Sequence, residues 1–329
     1  MATLADIIAY LHTEEIEEEE EADLSGVEVI VQDDGTVIYP AAPESDEEGD
    51  EDSQADGEAA ERRLSVRLID DLRMSADPDD LLIVGIGGAD PGVPGTLALA
   101  EDPGLVAGYQ GTLLICDPDT AAEETPESGA AVLVSERARL VFALIVDRFF
   151  PDLLDDVPPR FHGETQADQA ALAHACVMNA FLGPRVTFGP HASVGCTDTE
   201  YERAPDGRFV RLPQTGSVIL EGETEIGAQA TVHRALLGET RLCKGAKVGP
   251  WSEIGAGATL GRNAFVGADA RVGREARIGV GAVIEASAAV ADGVQVGDGA
   301  RVLTGSVVQT DVPAGETWGG DPAQRVDQH

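Results

Sequence analysis

Leu242-Cys-Lys-Gly-Ala-Lys-Val248-Gly-Pro-Trp-Ser-Glu-Ile254-Gly-Ala-Gly-Ala-Thr-Leu260-Gly-Arg-Asn-Ala-Phe-Val266 carries an aliphatic residue at every sixth position. The rule runs without a slip through Val272, Ile278, Ile284, Val290, Val296, Val302 and Val308. Glycine follows the aliphatic residue at 249, 255, 261, 267, 273, 279 and 297. The fourth residue after it, from Ala246 to Ser306, is Ala or Ser except at Val294. A helix would set successive repeats about 600° apart and scatter them, and a plain strand alternates with period two. Period six suits a triangular prism in which each hexad makes one flat wall and one corner. The aliphatic side chain points inward and stacks on its equivalent three hexads later. The small residue fits the corner, and glycine is expected to relax the backbone there. Each buried aliphatic side chain contributes about 1.5–3 kcal/mol before chain entropy is counted. The sequence therefore predicts a mainly β chain, with a parallel β-helix over 186–329 preceded by a small α/β domain.

Working backwards, hexads continue at Val232, Ile226, Leu220, Val194 and Phe188, with two interruptions. Cys196 to Gly216 reads as a loop thrown out from the prism. Between Val232 and Leu242 the period drops two residues, at His233-Arg234-Ala235-Leu236-Leu237. Irregularities in a solenoid are where function tends to sit.

Residues 64–155 read as the α/β domain. Leu81–Ile86, Leu113–Cys116 and Ala131–Val134 are apolar runs of strand type. Ser135 caps an expected helix from Glu136 to Phe149, which Pro151 stops. Gly85-Ile86-Gly87-Gly88 lacks full GxGxxG spacing and is read as a turn. A connecting segment, 156–185, is expected to hold a helix from Gln166 to Leu182. Leu4, Ile7, Ile8 and Leu11 have helical spacing at the start of an acidic segment, 1–63. That segment also holds a hairpin around Asp33-Asp34-Gly35 and a disordered linker from Glu44 to Glu61, a solvated spacer or an interaction tail.

The chain has 60 acidic and 22 basic residues, a net charge of −38. Nucleic acid and anionic membrane surfaces both require positive charge, so neither is an expected partner. Residues 1–61 hold 22 of the acids and no Lys or Arg, and only Lys244 and Lys247 occur beside 20 arginines. Dense carboxylates with few lysines fit adaptation to high salt or a GC-rich genome. The four cysteines form no CxxC, no apolar run reaches membrane length, and the N-terminus has no basic start. These features point to a reducing cytoplasm and no membrane span. No metal-ligand cluster, Ser/His/Asp arrangement or GxxxxGK loop is present, so neither a metal nor a bound cofactor is expected.

The hexad pattern resembles the left-handed β-helix acyltransferases, and within them the UDP-3-O-acylglucosamine N-acyltransferases of lipid A biosynthesis. Three stretches carry the resemblance: the 195–216 loop with its Pro213-Gln214, the break Thr231-Val-His-Arg-Ala-Leu-Leu-Gly-Glu-Thr240, and Gly95 to Gly104 followed by Ala131–Pro151. The last resembles a uridine-binding domain. The resemblance implies a homotrimer with sites between prisms, and an acyl group delivered on acyl carrier protein to the amine of a UDP-sugar. It also implies a prism histidine as general base and backbone N–H groups as oxyanion donors.

The chain departs from that pattern at four points. The family's catalytic histidine falls on Ala256, its Asp-Asn pair on Gly249-Pro250, and its two uracil-contacting aromatics near Leu99 and Leu105. The family's C-terminal helical extension has no counterpart before His329. His233 is the candidate replacement base, with Glu223 or Glu239 to orient it; otherwise it is a surface histidine on a prism corner. His191 lies in the turn Gly189-Pro190-His191 and is expected to face solvent, while His162 and His174 have no nameable partner. Tyr201, Arg203, Phe209 and Arg211 bind a phosphate or pyrimidine, or pin the loop; Gln214 belongs with them through the Pro-Gln motif. Trp251 lines an acyl or sugar groove or anchors a trimer contact. Three functions follow: N-acyl transfer from a carrier thioester to a UDP-sugar, a non-catalytic binding or scaffold trimer, or acetyl transfer from coenzyme A to a sugar.

Overall fold

A computed structural model describes residues 2–13 and 68–326, except 75, 122–125, 155–157, 162–171, 199 and 205–206, together with the pairs 17–18, 30–31, 37–38 and 64–65. Ile30–Val31 lies antiparallel to Val37–Ile38, as a hairpin about Gly35 requires. The acidic spacer 44–61 and His162 lie outside the described residues.

From Cys176 to Val308 the chain coils into a left-handed parallel β-helix. Three parallel sheets form its walls, and each coil adds one strand of two to four residues to each wall. In the regular part the partner of Leu242 is Leu260, then Ile278, then Val296, so one coil takes 18 residues. All twelve aliphatic residues of the hexad series are buried, none above 3% exposed. The corner alanines at 246, 258, 264, 270, 276, 282 and 300 are fully buried. Ser252 and Ser306 replace alanine at two corners: Ser252 Oγ donates to Gly267 O at 2.6 Å, and Ser306 Oγ accepts from Gly320 N at 3.1 Å.

The glycine after each aliphatic residue has a different role from the expected one. At Gly267 an added Cβ would lie 2.5 Å from the Ala286 amide of the next coil, so coil stacking leaves no room for a side chain. The left-handed backbone falls two residues later. Trp251, Asn263, Asp269, Glu275 and Ser287 all hold φ between 54° and 65° there.

The prism starts earlier than the expected boundary at 186. Cys176–Val177 pairs with Ser193–Val194, and Ala180–Leu182 with Val218–Leu220. Cys176 to Leu182 is thus part of the first full coil and not helix, and Arg160–Phe161 already lies parallel to Ala180–Leu182 ahead of it. The alanine-rich local propensity yields to burial of Val177, Ala180 and Leu182 in the prism core. The rest of the expected helix, 166–171, lies outside the described residues.

The N-terminal domain is a five-stranded sheet, built from β2 (Asp71–Arg73), β4 (Gly85–Ile86), β5 (Thr96–Ala100), β6 (Leu113–Cys116) and β7 (Ala131–Val134), in the order β2-β7-β6-β5-β4. Strands β4 to β7 are parallel, and β2 is antiparallel to β7. Gly85–Ile86 is therefore an edge strand and not a turn. Interior strand β5, Thr-Leu-Ala-Leu-Ala, is too alanine-rich to read as a strand from sequence. Its alternation serves both faces of the sheet. Leu97 and Leu99 join α3 (Ala138–Phe149), while Ala98 and Ala100 pack with Tyr109, Leu114, Val132 and, from the short α2 (Pro118–Ala121), Ala121. Helix α3 starts at Ala138 rather than Glu136, with the Arg137 amide donating to Ser135 Oγ at 3.0 Å.

The opening segment is part of this domain. Strand β1 (Ala2–Thr3) pairs antiparallel with β3 (Leu82–Ile83). Leu4, Ile7 and Leu11 of α1 (Leu4–Thr13) are fully buried in the same core, and Tyr10 meets Phe149 edge-on at 5.6 Å.

Both interruptions of the prism serve as joints. Leu220 pairs with Leu242, so that coil takes 22 residues, four more than a regular one. The apparent loss of two residues is thus a corner enlarged by four. Leu182 pairs with Leu220 across 38 residues, a coil carrying a 20-residue excursion. Ala204, Val210 and Leu212 from that loop, and Leu236 and Leu237 from the enlarged corner, all pack into the core of the α/β domain.

Candidate active site

The walls of the prism leave the 18-residue rule where Cys196, His233 and Glu253 come together. Strand Ser193–Cys196 runs beside Thr231–His233, with Val194 opposite Val232 but Cys196 opposite His233. Gly195 is bulged out of the ladder at φ +80°, and an added Cβ would collide with the Met178 carbonyl. Only glycine fits such a bulge, and the shift re-aims the next side chain. Cys196 Sγ lies 3.6 Å from His233 Nδ1, and His233 Nε2 lies 3.1 Å from Glu253 Oε1. Glu253 belongs to the following coil, and Arg271 Nε, one coil further on, stands 3.9 Å from its other oxygen.

His233 is buried, so it is not a surface histidine on a corner. Its orienting carboxylate is Glu253. Glu223 instead pairs with Arg185 and Lys244, and Glu239 pairs with Arg241. Burial disfavours the imidazolium, but Cys196, Asp198 and Glu253 more than offset it and raise the His233 pKa to about 9. Burial likewise opposes the Cys196 thiolate, and the His233 contact outweighs it, so the thiol pKa falls below its ordinary value. Both shifts favour movement of the shared proton from Cys196 toward His233. With both ring nitrogens engaged, the proton that His233 can exchange in this geometry is the one on Cys196.

Cys196 opens onto a cavity of 230 Å³, lined also by Cys176, Ser193, Thr197, Arg211 and Arg234. Arg211 hydrogen-bonds Thr197 Oγ1, and Arg234 is 97% buried, with its amide donating to Cys196 O at 3.0 Å. Two arginines thus line the cavity onto which the thiol opens, and positive charge there would favour negative charge on a reacting oxygen.

The other residues singled out from sequence are dispersed. Tyr201 and Phe209 stack edge-on at 6.3 Å on the exposed hairpin β8 (Tyr201–Arg203) and β9 (Phe209–Arg211). Arg203 lines a separate 320 Å³ cavity with Leu99, Glu101 and the start of α3. Gln214 is buried, and its Oε1 accepts from the Asp198 amide, which pins the loop root; among the described residues its Nε2 has no hydrogen-bond partner. Trp251 stands two-thirds exposed on a corner between two walls. His191 is exposed, and its amide donates to His174 O at 2.6 Å.

Ala256 lies in a third place, a 440 Å³ cleft where the α/β domain, the loop and the prism meet. Arg139 of α3 pairs there with Glu101, Glu200 and, at 2.9 Å, Glu202. Arg274 reaches Glu200 at 3.1 Å and Asp292 at 3.5 Å. Burial and then the Glu101 carboxylate raise the pKa of Glu275 in this cleft. Among the described residues no group of three or more His, Cys, Asp or Glu is arranged to hold a metal ion. No described helix is long and apolar enough to cross a membrane.

Cys196 and Glu253 escaped the sequence reading because their proximity to His233 depends on the bulge and the enlarged corner. Counting a 22-residue coil would have placed Glu253 beside Thr231, and hence next to His233.

No family model matches the chain. Among curated proteins it is 43% identical over 67 residues to UDP-3-O-acylglucosamine N-acyltransferase of Syntrophobacter fumaroxidans, covering 20% of this chain and 19% of that one. It is 33% identical over 101 residues to the enzyme of the same name from Anaeromyxobacter dehalogenans, covering 27% and 28%. The chain resembles the UDP-3-O-acylglucosamine N-acyltransferases. It spans less than a third of the length of these curated relatives. Among solved structures, LpxA from Acinetobacter baumannii is similar at 12% identity and TM-score 0.34, over 51% of this chain and 72% of that one. GDP-perosamine N-acetyl transferase from Caulobacter crescentus is similar at 16% identity and TM-score 0.24, over 70% and 96%.

Proposed function

We propose that this chain is an acyltransferase that moves an acyl group from a carrier thioester to the amine of a UDP-sugar. It does so as a cytoplasmic homotrimer, in a reaction of the lipid A type. The observation that carries the reading is His233 held between Cys196 and Glu253 on a prism that resembles N-acyltransferases. His233 is the proton-transfer group, and Glu253 keeps its ring in place. Tyr201, Arg203, Phe209, Arg211, Gln214 and Trp251 are proposed to contribute to substrate binding. Tyr201, Phe209 and Trp251 present aromatic faces, Arg211 supplies charge at the cavity, and Gln214 acts through the loop it anchors.

The test is a mass-spectrometric assay with acyl carrier protein thioesters or acetyl-coenzyme A as donor and UDP-amino sugars as acceptor. An acylated sugar is expected, and His233→Ala is expected to slow its formation by about 10²-fold or more. No product with any donor overturns the reading. Product from acetyl-coenzyme A alone assigns coenzyme A as the donor.

A second reading rests on Ala256, which is 96% buried and is the position where the sequence resemblance puts the family's catalytic histidine, since alanine accepts no proton. In this reading the chain is a binding or scaffold trimer. Calorimetry with UDP-GlcNAc separates the two: micromolar binding favours the enzyme, and no binding favours the scaffold.

A further inference from the structure

We infer that Cys196 is a nucleophile that takes the acyl group as a thioester before the amine receives it, with His233 as its proton partner and Glu253 as the positioning residue. The inference rests on the acyl-transfer reading and adds a covalent step to it.

Three features place the thiol for attack. The first is the bulge at Gly195, a backbone conformation reserved for glycine, whose effect is to bring Cys196 opposite His233. The second is the chain of contacts from Sγ to Nδ1 at 3.6 Å and from Nε2 to Glu253 Oε1 at 3.1 Å. Nucleophile, base and orienting carboxylate are the three parts of an activated nucleophile. The third is access, because Cys196 lines the 230 Å³ cavity beside Arg211 and Arg234. Among the other cysteines, Cys116 is fully buried in the N-terminal sheet. Burial raises the thiol pKa of Cys116 and of Cys243, whereas that of Cys196 is lowered.

The steps balance. The Cys196 thiolate attacks the carbonyl carbon of a pantetheine-type thioester. A carbon–sulfur bond forms to Cys196, the carrier's carbon–sulfur bond breaks, and the carrier leaves as a thiol with the proton of the His233 imidazolium. The acceptor amine then attacks the Cys196 thioester. A carbon–nitrogen bond forms, the bond to Sγ breaks, and the amine proton passes to His233. The thiolate–imidazolium pair is restored, and nothing is oxidised or reduced. This route uses His233 in the protonation state that its surroundings favour, whereas a histidine already protonated at neutral pH is a poor base for an amine.

The test uses the full chain with acetyl-coenzyme A or decanoyl-coenzyme A and no sugar, quenched in acid and read by intact-protein mass and peptide mapping. One hydroxylamine-labile acyl adduct is expected on the peptide bearing Cys196. It is expected to be absent in Cys196→Ser and formed about 10²-fold more slowly in His233→Gln. Iodoacetamide gives a donor-independent readout. Cys196 should be alkylated faster than Cys116 and Cys243 at pH 6–7, where an ordinary thiol is mostly protonated. Glu253→Gln should move the pH midpoint of that alkylation without removing it. Ser193, Asp198, Arg211, Arg234 and Arg271 also face the Cys196–His233–Glu253 chain, and none is altered in these variants. Wild-type turnover by Cys196→Ser overturns the covalent step and leaves acyl transfer standing. An adduct on Cys176 overturns the assignment of the nucleophile. Absence of turnover with every donor, together with ordinary alkylation of Cys196, overturns both readings.

Discussion

Between Leu242 and Val308 each coil repeats the one before it, and between Val194 and Leu242 neither coil does. The regular coils bury aliphatic side chains and alanines, and their few buried hydroxyls are paired. The irregular coils bury His233, Arg234 and Gln214, and they also dock the α/β domain through Leu212, Leu236 and Leu237. A repeat can stack only if each coil presents the same backbone to its neighbour. A site needs unlike groups aimed at one point. The chain satisfies both demands by leaving the repeat for one bulge, one excursion and one enlarged corner.

That contrast gives the largest expected effect. Val266 is fully buried in the regular wall, between Val248 and Ile284 of the adjacent coils. Val266→Asp would place a carboxylate where its neighbours are aliphatic. It is expected to cost more than about 4 kcal/mol and to abolish cooperative folding, read by circular dichroism and urea denaturation. A cooperative transition within about 1 kcal/mol of wild type would show that the regular part is not the stabilising half.

Gly195→Ala tests the irregular half. The position holds φ +80°, and the added carbon meets the Met178 carbonyl. The expected cost is about 2–4 kcal/mol in denaturation. The chemical effect is the sharper one. If the bulge aims Cys196 at His233, relaxing it separates them, and the His233 pKa falls from about 9 toward the ordinary 6.5. Imidazole titration by NMR reads this directly. A variant that loses stability but keeps the raised pKa would mean that the bulge does not set the contact.

The legibility of the fold follows the same division. Twelve aliphatic residues at a fixed interval, with small residues at a fixed offset, admit one architecture, and they occupy the buried positions expected of them. The role of the following glycine was harder to read, because close stacking of coils and a positive φ leave the same letter in the sequence. Only coordinates separate Gly267, which is crowded by Ala286, from the corner φ at Asp269. The first coil was hidden for another reason. Ala170 to Leu182 has good helix propensity, and the strand pairing of 176–182 depends on residues 193 and 218, which lie beyond any local window. At the site, His233 stood out by residue type and place. Its partners did not, since Cys196 is 37 residues away and Glu253 is 20 away, and both gaps depend on insertions that the period alone does not measure.

The smallest expected effect concerns the junction between the two halves. Glu275 is on a regular coil, but it faces the cleft formed by the irregular ones, where Glu101, Glu200 and Asp292 outnumber Arg139 and Arg274. Its pKa is raised, first by burial and then by the Glu101 charge. A carboxyl whose folded pKa lies above its unfolded one binds more protons when folded, so stability falls as pH rises from about 4.5 through the raised value. Above that window Glu275 is a net cost. Glu275 is exposed, so solvent screens the effect, and Glu275→Gln is expected to raise stability at pH 7 by less than about 1 kcal/mol and to leave it unchanged at pH 4. Thermal denaturation at the two pH values reads the difference. Equal destabilisation at both would mean that Glu275 serves the junction as a hydrogen-bonding group and not as a charge. The excess of carboxylates at this joint would then have no electrostatic consequence for stability.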